Sequence, residues 1–470
     1  VSETSVERCV AIIGGGCSGL LVAVQLLRQA RTPLRVRLFE RMTDVGRGVA
    51  YGTENPGHLL NVPAGRMGAF PEELGHFQRW VESQPNRTGF PATVAPGDFL
   101  PRWIFGEYLR AVLADARAGA APGVEYEEIK GDVIDLEQEP GIPGVRVRCG
   151  DGRAFAADRV VLALGNLPGE YPIREALPIY HSQRYVHVPW RPGVLAGIPP
   201  DSEVLIVGAG LTAVDLVLEL QSSGHRGIIH ALSRRGLHPQ VHRPAPAYPA
   251  FLAGAAPPGT ILGLFRRIRA EVKTAREAGM DWRPVLDAIR AQTPALWAAL
   301  SWGERARFMR HVRPYWEGHR HRLAPAVAEK IEALHTSGRL RFYAGRLEKM
   351  AERPDGVEAR FRLRGKSARE NVVVAKIINC TGPRSDYSKY QHPLLINLLA
   401  NGLIDHDPLA LGLNATAAGE VLAYRGGPVG WLFTLGAPLK GVLWECTAVP
   451  EIRAQAAALA ARLLAAGPVA

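Results

Sequence analysis

Two glycine-rich segments far apart in the chain carry residue types suited to holding phosphate. In CVAIIGGGCSGL, Gly14, Gly16 and Gly19 stand in a G-x-G-x-x-G frame, with Ser18 inside it. In EVLIVGAGLTAV, Gly208, Gly210 and Ala213 occupy the same frame around Leu211 and Thr212. Each follows an apolar β-type run (10–13 and 204–207) and opens an apolar helical run. Glycines there permit a tight turn and let backbone N–H groups at a helix N-terminus meet a pyrophosphate. One such loop is a weak signal. Two in the strand–turn–helix setting predict two dinucleotides on one polypeptide, and so electron transfer between them.

The residues beyond each loop differ in chemistry. The run LRVRLFE ends in Glu40, 21 positions past Gly19, where a carboxylate accepts the hydroxyls of an adenosine ribose and repels a 2′-phosphate. With its placement near the start of the chain, this reads as the FAD site. The second strand ends in Ser233-Arg234-Arg235, with no acidic residue at that offset. Guanidinium forks bind phosphate bidentately, so this site reads as one for the 2′-phosphate of NADPH, and Ala213 suits such loops. The competing readings are structural: an ordinary βαβ unit with a coincidental Glu, and a solvated arginine pair.

Elements must hold these loops in place. DRVVLALGNLPG (158–169) and KIINCTGPRSDY (376–387) are β runs ending in small-residue turns, the form in which a chain passes between two nucleotide-binding domains. The expected fold is therefore α/β, with two Rossmann-like dinucleotide-binding domains. The FAD domain is assigned to 1–195 and 377–470 and the NADPH domain to 196–376. A helical subdomain at about 258–335 is inserted in the latter, and RLRFYAGRLEKM and VEARFRLRG return as strands.

Composition limits the alternatives. A 470-residue chain with 47% apolar and 21% charged residues is an ordinary globular protein of two or three domains. Its net charge of +11 comes without a lysine-rich block, which favours attraction for NADPH or an acidic substrate over nucleic-acid binding. The five cysteines include no C-x-x-C pair, so neither a metal site nor a redox dithiol is indicated. No run approaches the ~20 apolar residues of a membrane span. The polar start up to Glu7 reads as lacking a signal peptide, so a cytoplasmic enzyme is expected.

The segments 46–70 (GRGVAYGTENPGHLLNVPAGRMGAF), 99–109, 233–242 (SRRGLHPQVH), 315–325 (YWEGHRHRLAP), 378–387 and 436–456 (GAPLKGVLWECTAVPEIRAQA) resemble, in order, the bacterial FAD-NAD(P)-binding family. That family is related to the two-dinucleotide flavoprotein monooxygenases, including amine and amino-acid N-hydroxylases of natural-product biosynthesis. The resemblance implies FAD and NADPH as cofactors and a small-molecule substrate with O2 as partners. It implies oxygen transfer through a C4a-hydroperoxyflavin to the nitrogen of a small polar amine or amino acid, an acidic, aspartate-like one included. It carries Gly14, Gly16, Ser18, Gly19, Glu40 and Arg41 to the FAD pyrophosphate and ribose, and Val133 to the adenine. Asn61, Val62 and Met67 become flavin neighbours, Asn61 and Met67 being the flavin-proximal candidates for catalysis. Gly382, Trp444, Glu445 and Thr447 complete the FAD set, the last three before a helix whose N-terminus stabilises negative charge on the flavin. Gly208, Gly210, Leu211, Thr212, Ser233, Arg234 and Arg235 form the NADPH set.

Such a reaction asks for positioning and exclusion of water rather than a catalytic triad. In the run WEGHRHR, His319, Arg320 and Arg322, with Arg313 a turn earlier, are candidates for a substrate-side anion site, against the plainer reading of a solvated helix face. Cys17 reads as packing small against the pyrophosphate rather than sensing redox state, and Cys380 and Cys446 read as core residues. Two other functions stay open: an NADPH-dependent flavin reductase passing electrons to a carrier, and a non-catalytic flavin-binding redox sensor. The absent C-x-x-C excludes the usual disulfide-reductase form of the former, and the intact second loop argues against the latter.

Overall fold

Apolar runs of alternating facing build the first sheet. In the computed structural model, which describes residues 8–42, 44–138, 144–252 and 258–465, the strand Arg8–Ile13 lies within six. Residues 1–7, on which the expectation of no signal peptide rests, lie outside the described residues. The strand order is Glu420–Leu422, Pro428–Thr434, Arg159–Leu162, Arg8–Ile13, Leu34–Glu40, Val124–Lys130. All neighbours are parallel except the first pair, which is antiparallel. Parallel strands are covered on both faces, which is why the inner strands read as unbroken apolar runs. Val10 and Ile12 pack with the helices Cys17–Gln29, Arg102–Ala118 and Val449–Ala465. Ala11 and Ile13 face the opposite layer, made of the helix Pro393–Ala400 and a small antiparallel sheet, Val133–Glu137, Val145–Cys149 and Ala154–Ala157.

The second sheet has seven strands, in the order Arg369–Val374, Gly356–Leu363, Leu340–Arg353, Ile229–Ser233, Val204–Val207, Lys376–Asn379, Tyr185–Val186. The long strand Leu340–Arg353 joins two regimes. Residues 340–344 pair in parallel with Ile229–Ser233, and residues 345–353 pair antiparallel with Gly356–Leu363. The helices Leu211–Ser222 and Pro325–Thr336 cover one face, and the hairpin folds back over the other. The chain thus leaves the first sheet after Leu162, completes the second between Tyr185 and Asn379, and returns to the first at Glu420.

The helical stretch read from the sequence at about 258–335 divides by packing. Val327, Ile331 and Leu334 bury the helix Pro325–Thr336 in the core of the second sheet, as the crossover into Leu340–Arg353. The segment from Ile261–Glu277 to Arg313–Arg320 has its own core around Leu264, Trp297, Leu300 and Phe308, which also takes in Leu411 and Trp444 from the first domain. Thr260 caps the Ile261 helix by accepting from Gly263 N, and Ser301 caps Trp302–Arg307 by accepting from Glu304 N. Among the described residues no helix is long and apolar enough to cross a membrane.

Candidate functional site: two nucleotide loops and the junction between them

The first loop admits only glycine at two positions. Gly14 has φ +109°, and a Cβ there would stand 2.4 Å from the carbonyl oxygen of Ala163. A Cβ on Gly19 would lie 1.9 Å from Gly14 O, so helix and turn touch backbone to backbone. Gly16 begins the helix Cys17–Gln29 with no side-chain cap, which leaves the first-turn N–H groups to an incoming acceptor. Glu40 stands at the end of the adjoining strand, its Oε2 accepting from Gly15 N at 2.9 Å and its Oε1 from Met42 N at 2.9 Å. A carboxylate is the acceptor type that ribose hydroxyls require. Backbone donors, a wall with no Cβ and a fixed carboxylate fit the pyrophosphate and ribose of FAD. Arg41 reaches toward Asp132 at 3.8 Å, on the rim.

Sequence reasoning overlooked the walls of this cradle. Gly46 donates to Gly15 O at 2.7 Å, and a Cβ on Gly48 would lie 3.2 Å from Gly16 Cα. A Cβ on Gly436 would meet Ser18 Oγ at 3.0 Å, while Gln455 fixes that residue by accepting from its N–H at 2.8 Å. The available signal was the glycines of the 46–70 and 436–456 segments. Cys17 is free, and burial pushes its thiol up to about 12, away from redox chemistry.

The second loop repeats the geometry. Gly208 has φ +130° and its Cβ would stand 2.0 Å from Cys380 O, whereas nothing lies within 4 Å of a Cβ on Gly210. Leu211 and Thr212 form the uncapped first turn of Leu211–Ser222. Ser233 Oγ accepts from Gly236 N at 3.0 Å. The two arginines then part. Arg234 is exposed at the strand end, while Arg235 donates to Arg310 O at 3.0 Å and lies 5.3 Å from the ring centre of Tyr315. Gly382 stands in the crossing between the sheets, where its carbonyl packs against Gly169, two residues past the Cys380 that backs the second loop.

Between the loops several segments meet. His242 Nε2 donates to Asn61 O at 3.1 Å. Residues 240–242 are zipped onto the insert by Gln240 N to Gly318 O at 2.9 Å, Leu323 N to Gln240 O at 2.8 Å and His242 N to Leu323 O at 2.9 Å. Glu445 lies 3.2 Å from Arg320 Nη2 and accepts from Trp316 Nε1 at 3.0 Å. Trp444, a buried residue with φ +59°, stacks on Trp297 with ring centres 5.0 Å apart. Trp297 Nε1 donates to Gly441 O at 2.8 Å.

The electrostatics follow from burial. Burial lowers His242 to about 4, so its ring is neutral, with Nε2 protonated toward Asn61. Burial also lowers His321 and Lys440. Burial raises Glu445, but Arg320, His321 and the Trp316 N–H outweigh it and hold the carboxyl below its usual range.

The remaining candidates scatter. Arg322 is buried and bidentate on Asp287 at 2.9 and 3.0 Å, and Arg313 pairs with Glu317 at 2.8 Å, so both are structural clamps. His319 holds the carbonyl of Tyr315 within its own helix at 2.8 Å. Met67, taken from the resemblance as a flavin neighbour, is 2% exposed among the core residues of the first domain. Arg453 pins that turn by donating to Arg66 O and Gly68 O at 3.0 and 2.9 Å. Val62 is half-buried against the same core, Val133 is buried at the edge of the three-stranded sheet, and Thr447 is exposed ahead of Val449–Ala465.

Residues 11–167 match the family model described as FAD-NAD(P)-binding. The uncharacterized protein YdhS of Escherichia coli (strain K12) is 26% identical over 219 residues, 44% of this chain, and the match spans only 38% of that protein. Among solved structures, the FAD-bound cadaverine monooxygenase of desferrioxamine biosynthesis from Erwinia amylovora aligns with a TM-score of 0.65 at 13% identity, over 98% of this chain and 95% of that one. L-lysine 6-monooxygenase from Pseudomonas syringae aligns at 0.64 and 17% identity, covering 97% and 98%. An ornithine N-hydroxylase of Kutzneria sp. 744, solved with reduced FAD, NADP+ and L-ornithine, aligns at 0.60 and 15%, covering 97% and 98%. At such identities the likeness establishes a shared fold along the whole chain.

Proposed function

We propose that this chain, whose residues 11–167 match the FAD-NAD(P)-binding family, is an FAD- and NADPH-dependent monooxygenase. Its substrate is a small polar amine or amino acid, an acidic, aspartate-like one included, oxidised at nitrogen. The observation that carries this reading is the inequality of two loops in one fold: Glu40 is fixed beside the first, and Arg234 is exposed beside the second. A carboxylate accepts hydrogen bonds from ribose hydroxyls and a guanidinium donates to a 2′-phosphate, so one loop suits FAD and the other NADPH.

FAD, when bound, supplies hydride acceptance and oxygen activation. The chain's own residues bind, orient and keep water out. The helix N-terminus at Gly16 meets the pyrophosphate, and Glu40 orients the ribose. Trp297 stacks on Trp444 and Phe308 meets it edge-on, an apolar wall on one side of the junction that would help to exclude water. A nitrogen must lose its proton before it can take oxygen. His321, set among Glu445, Arg320, Glu317 and Lys440 at the junction, is the acceptor we assign, because burial favours its neutral ring.

The test begins with anaerobic NADPH, which should bleach the flavin spectrum. Oxygen is then admitted with small amines and amino acids in turn, and isotopically labelled oxygen is followed into product. Label on nitrogen, with NADPH consumed in step, is the expected result. Reoxidation that yields only hydrogen peroxide with every amine would overturn the proposal in favour of an electron-passing reductase.

A further inference from the structure

The junction holds more positive than negative charge once its pairs are matched. Arg290 is bidentate on Glu451 at 2.7 and 2.8 Å, Arg320 faces Glu445, Arg313 takes Glu317 and Arg322 takes Asp287. Lys440 differs from these four. Lys440 makes no ion pair or hydrogen bond through its ammonium with any described residue; its contact is the face of Trp444, with Nζ 5.0 Å from the ring centre. An aromatic face satisfies charge but accepts no conventional hydrogen bond, so three N–H donors stay open in a half-buried place. Burial lowers this ammonium, and Arg313 opposes it further, while Glu317 and Glu445 favour it from a distance. His321, assigned above as proton acceptor, lies within electrostatic range of both Lys440 and Glu445.

We infer that Lys440 recognises a carboxylate of the substrate, so that the site takes an amine bearing a carboxylate in preference to a plain diamine. The location supports this. The segment from Gly436 to Val449 touches the first nucleotide loop at one end, through Ser18, and the insert at the other, through the Trp444–Trp297 stack. A ligand on Lys440 therefore sits at the junction, between His321 and the FAD cradle. A bound carboxylate would supply the missing acceptors and balance the extra positive charge. The inference rests on the monooxygenase reading for what happens next, but not for binding.

The test is a titration of the oxidised, FAD-loaded protein, without NADPH, using L-aspartate, L-lysine and cadaverine, which is L-lysine without its carboxylate. Flavin absorbance reports binding. The amino acids should perturb the spectrum more tightly than cadaverine, and Lys440→Met should raise their Kd roughly 10- to 100-fold while leaving cadaverine unchanged. Lys440→Arg should recover most of the affinity, which separates a charge contact from a packing defect. The other anions available are cofactor phosphates. If the Met variant instead loses FAD, or weakens NADP+ with amino-acid binding intact, the cation serves a phosphate and the inference falls. It falls equally if all three probes weaken together, or if neither amino acid at millimolar concentration perturbs the wild-type protein. Because no turnover is involved, a failed hydroxylation assay and a failed titration stay distinct.

Discussion

Arg234 and Arg235 are adjacent and chemically identical, yet their surroundings assign them different work. Arg234 is exposed beside the second loop, while Arg235 is committed to Arg310 O and the Tyr315 ring. Arg234→Ala should raise the KM for NADPH about 10- to 100-fold and leave that for NADH within about twofold, in anaerobic flavin-reduction kinetics. An equal effect on both cofactors would refute the 2′-phosphate assignment. His242 makes a prediction in pH. Its folded-state value near 4 lies below the ordinary 6.5, so between these the unfolded chain binds a proton that the folded chain refuses. Its contribution is fully present above about pH 6.5 and is lost as pH falls toward 4. His242→Gln should therefore flatten the acid limb of Tm against pH in that window. Some slope remains, because burial lowers His76, His187, His225 and His238 as well.

At the scale of elements, each loop is a contact between backbones, and side chains enter it only as damage. Gly208→Ala would drive a Cβ against Cys380 O in a conformation, φ +130°, that L residues rarely adopt. A cost of about 2–5 kcal/mol is expected. The clash lies within the second sheet, so the variant should keep its FAD and lose reduction by NADPH, as flavin content and anaerobic bleaching would report. Gly14→Ala, pressed against Ala163 O in the first sheet, should instead lose FAD. An FAD-loaded Gly14→Ala protein would show that the first loop is not the flavin's.

At the scale of the whole molecule, three bodies are joined by a small set of buried contacts. Arg102 lies 2.8 Å from Asp215, and His58 Nε2 donates to Asp215 O at 3.0 Å, which ties the second loop's helix to the first domain. The insert docks through Trp297, 3% exposed and hydrogen-bonded to Gly441 O. Trp297→Ala should cost about 3–5 kcal/mol and open the insert to limited proteolysis before the sheets melt. A variant with unaltered cleavage and Tm would show that the insert is held elsewhere.

The glycine frames, Glu40 and the Ser233-Arg234-Arg235 end were open to reading from the chain alone, because each is a local instruction. A turn needs φ > 0, a strand needs alternation, and a side chain at a strand end follows from the count. That was enough to predict an α/β fold with two dinucleotide-binding domains, and such a fold is what the structure has. What local order does not encode is partnership between distant segments. That Arg322 is closed by Asp287, Met67 sunk in a core and Pro325–Thr336 packed under a sheet depends on packing. Lys440 and Glu445 lie far along the chain from the insert residues around them, and only tertiary structure left Lys440 there without an ion pair among the described residues. The sequence by itself determined which nucleotides suit the chain; the packing of its three bodies decided which charges at their junction are already paired, because burial and partnership, not residue type, set that.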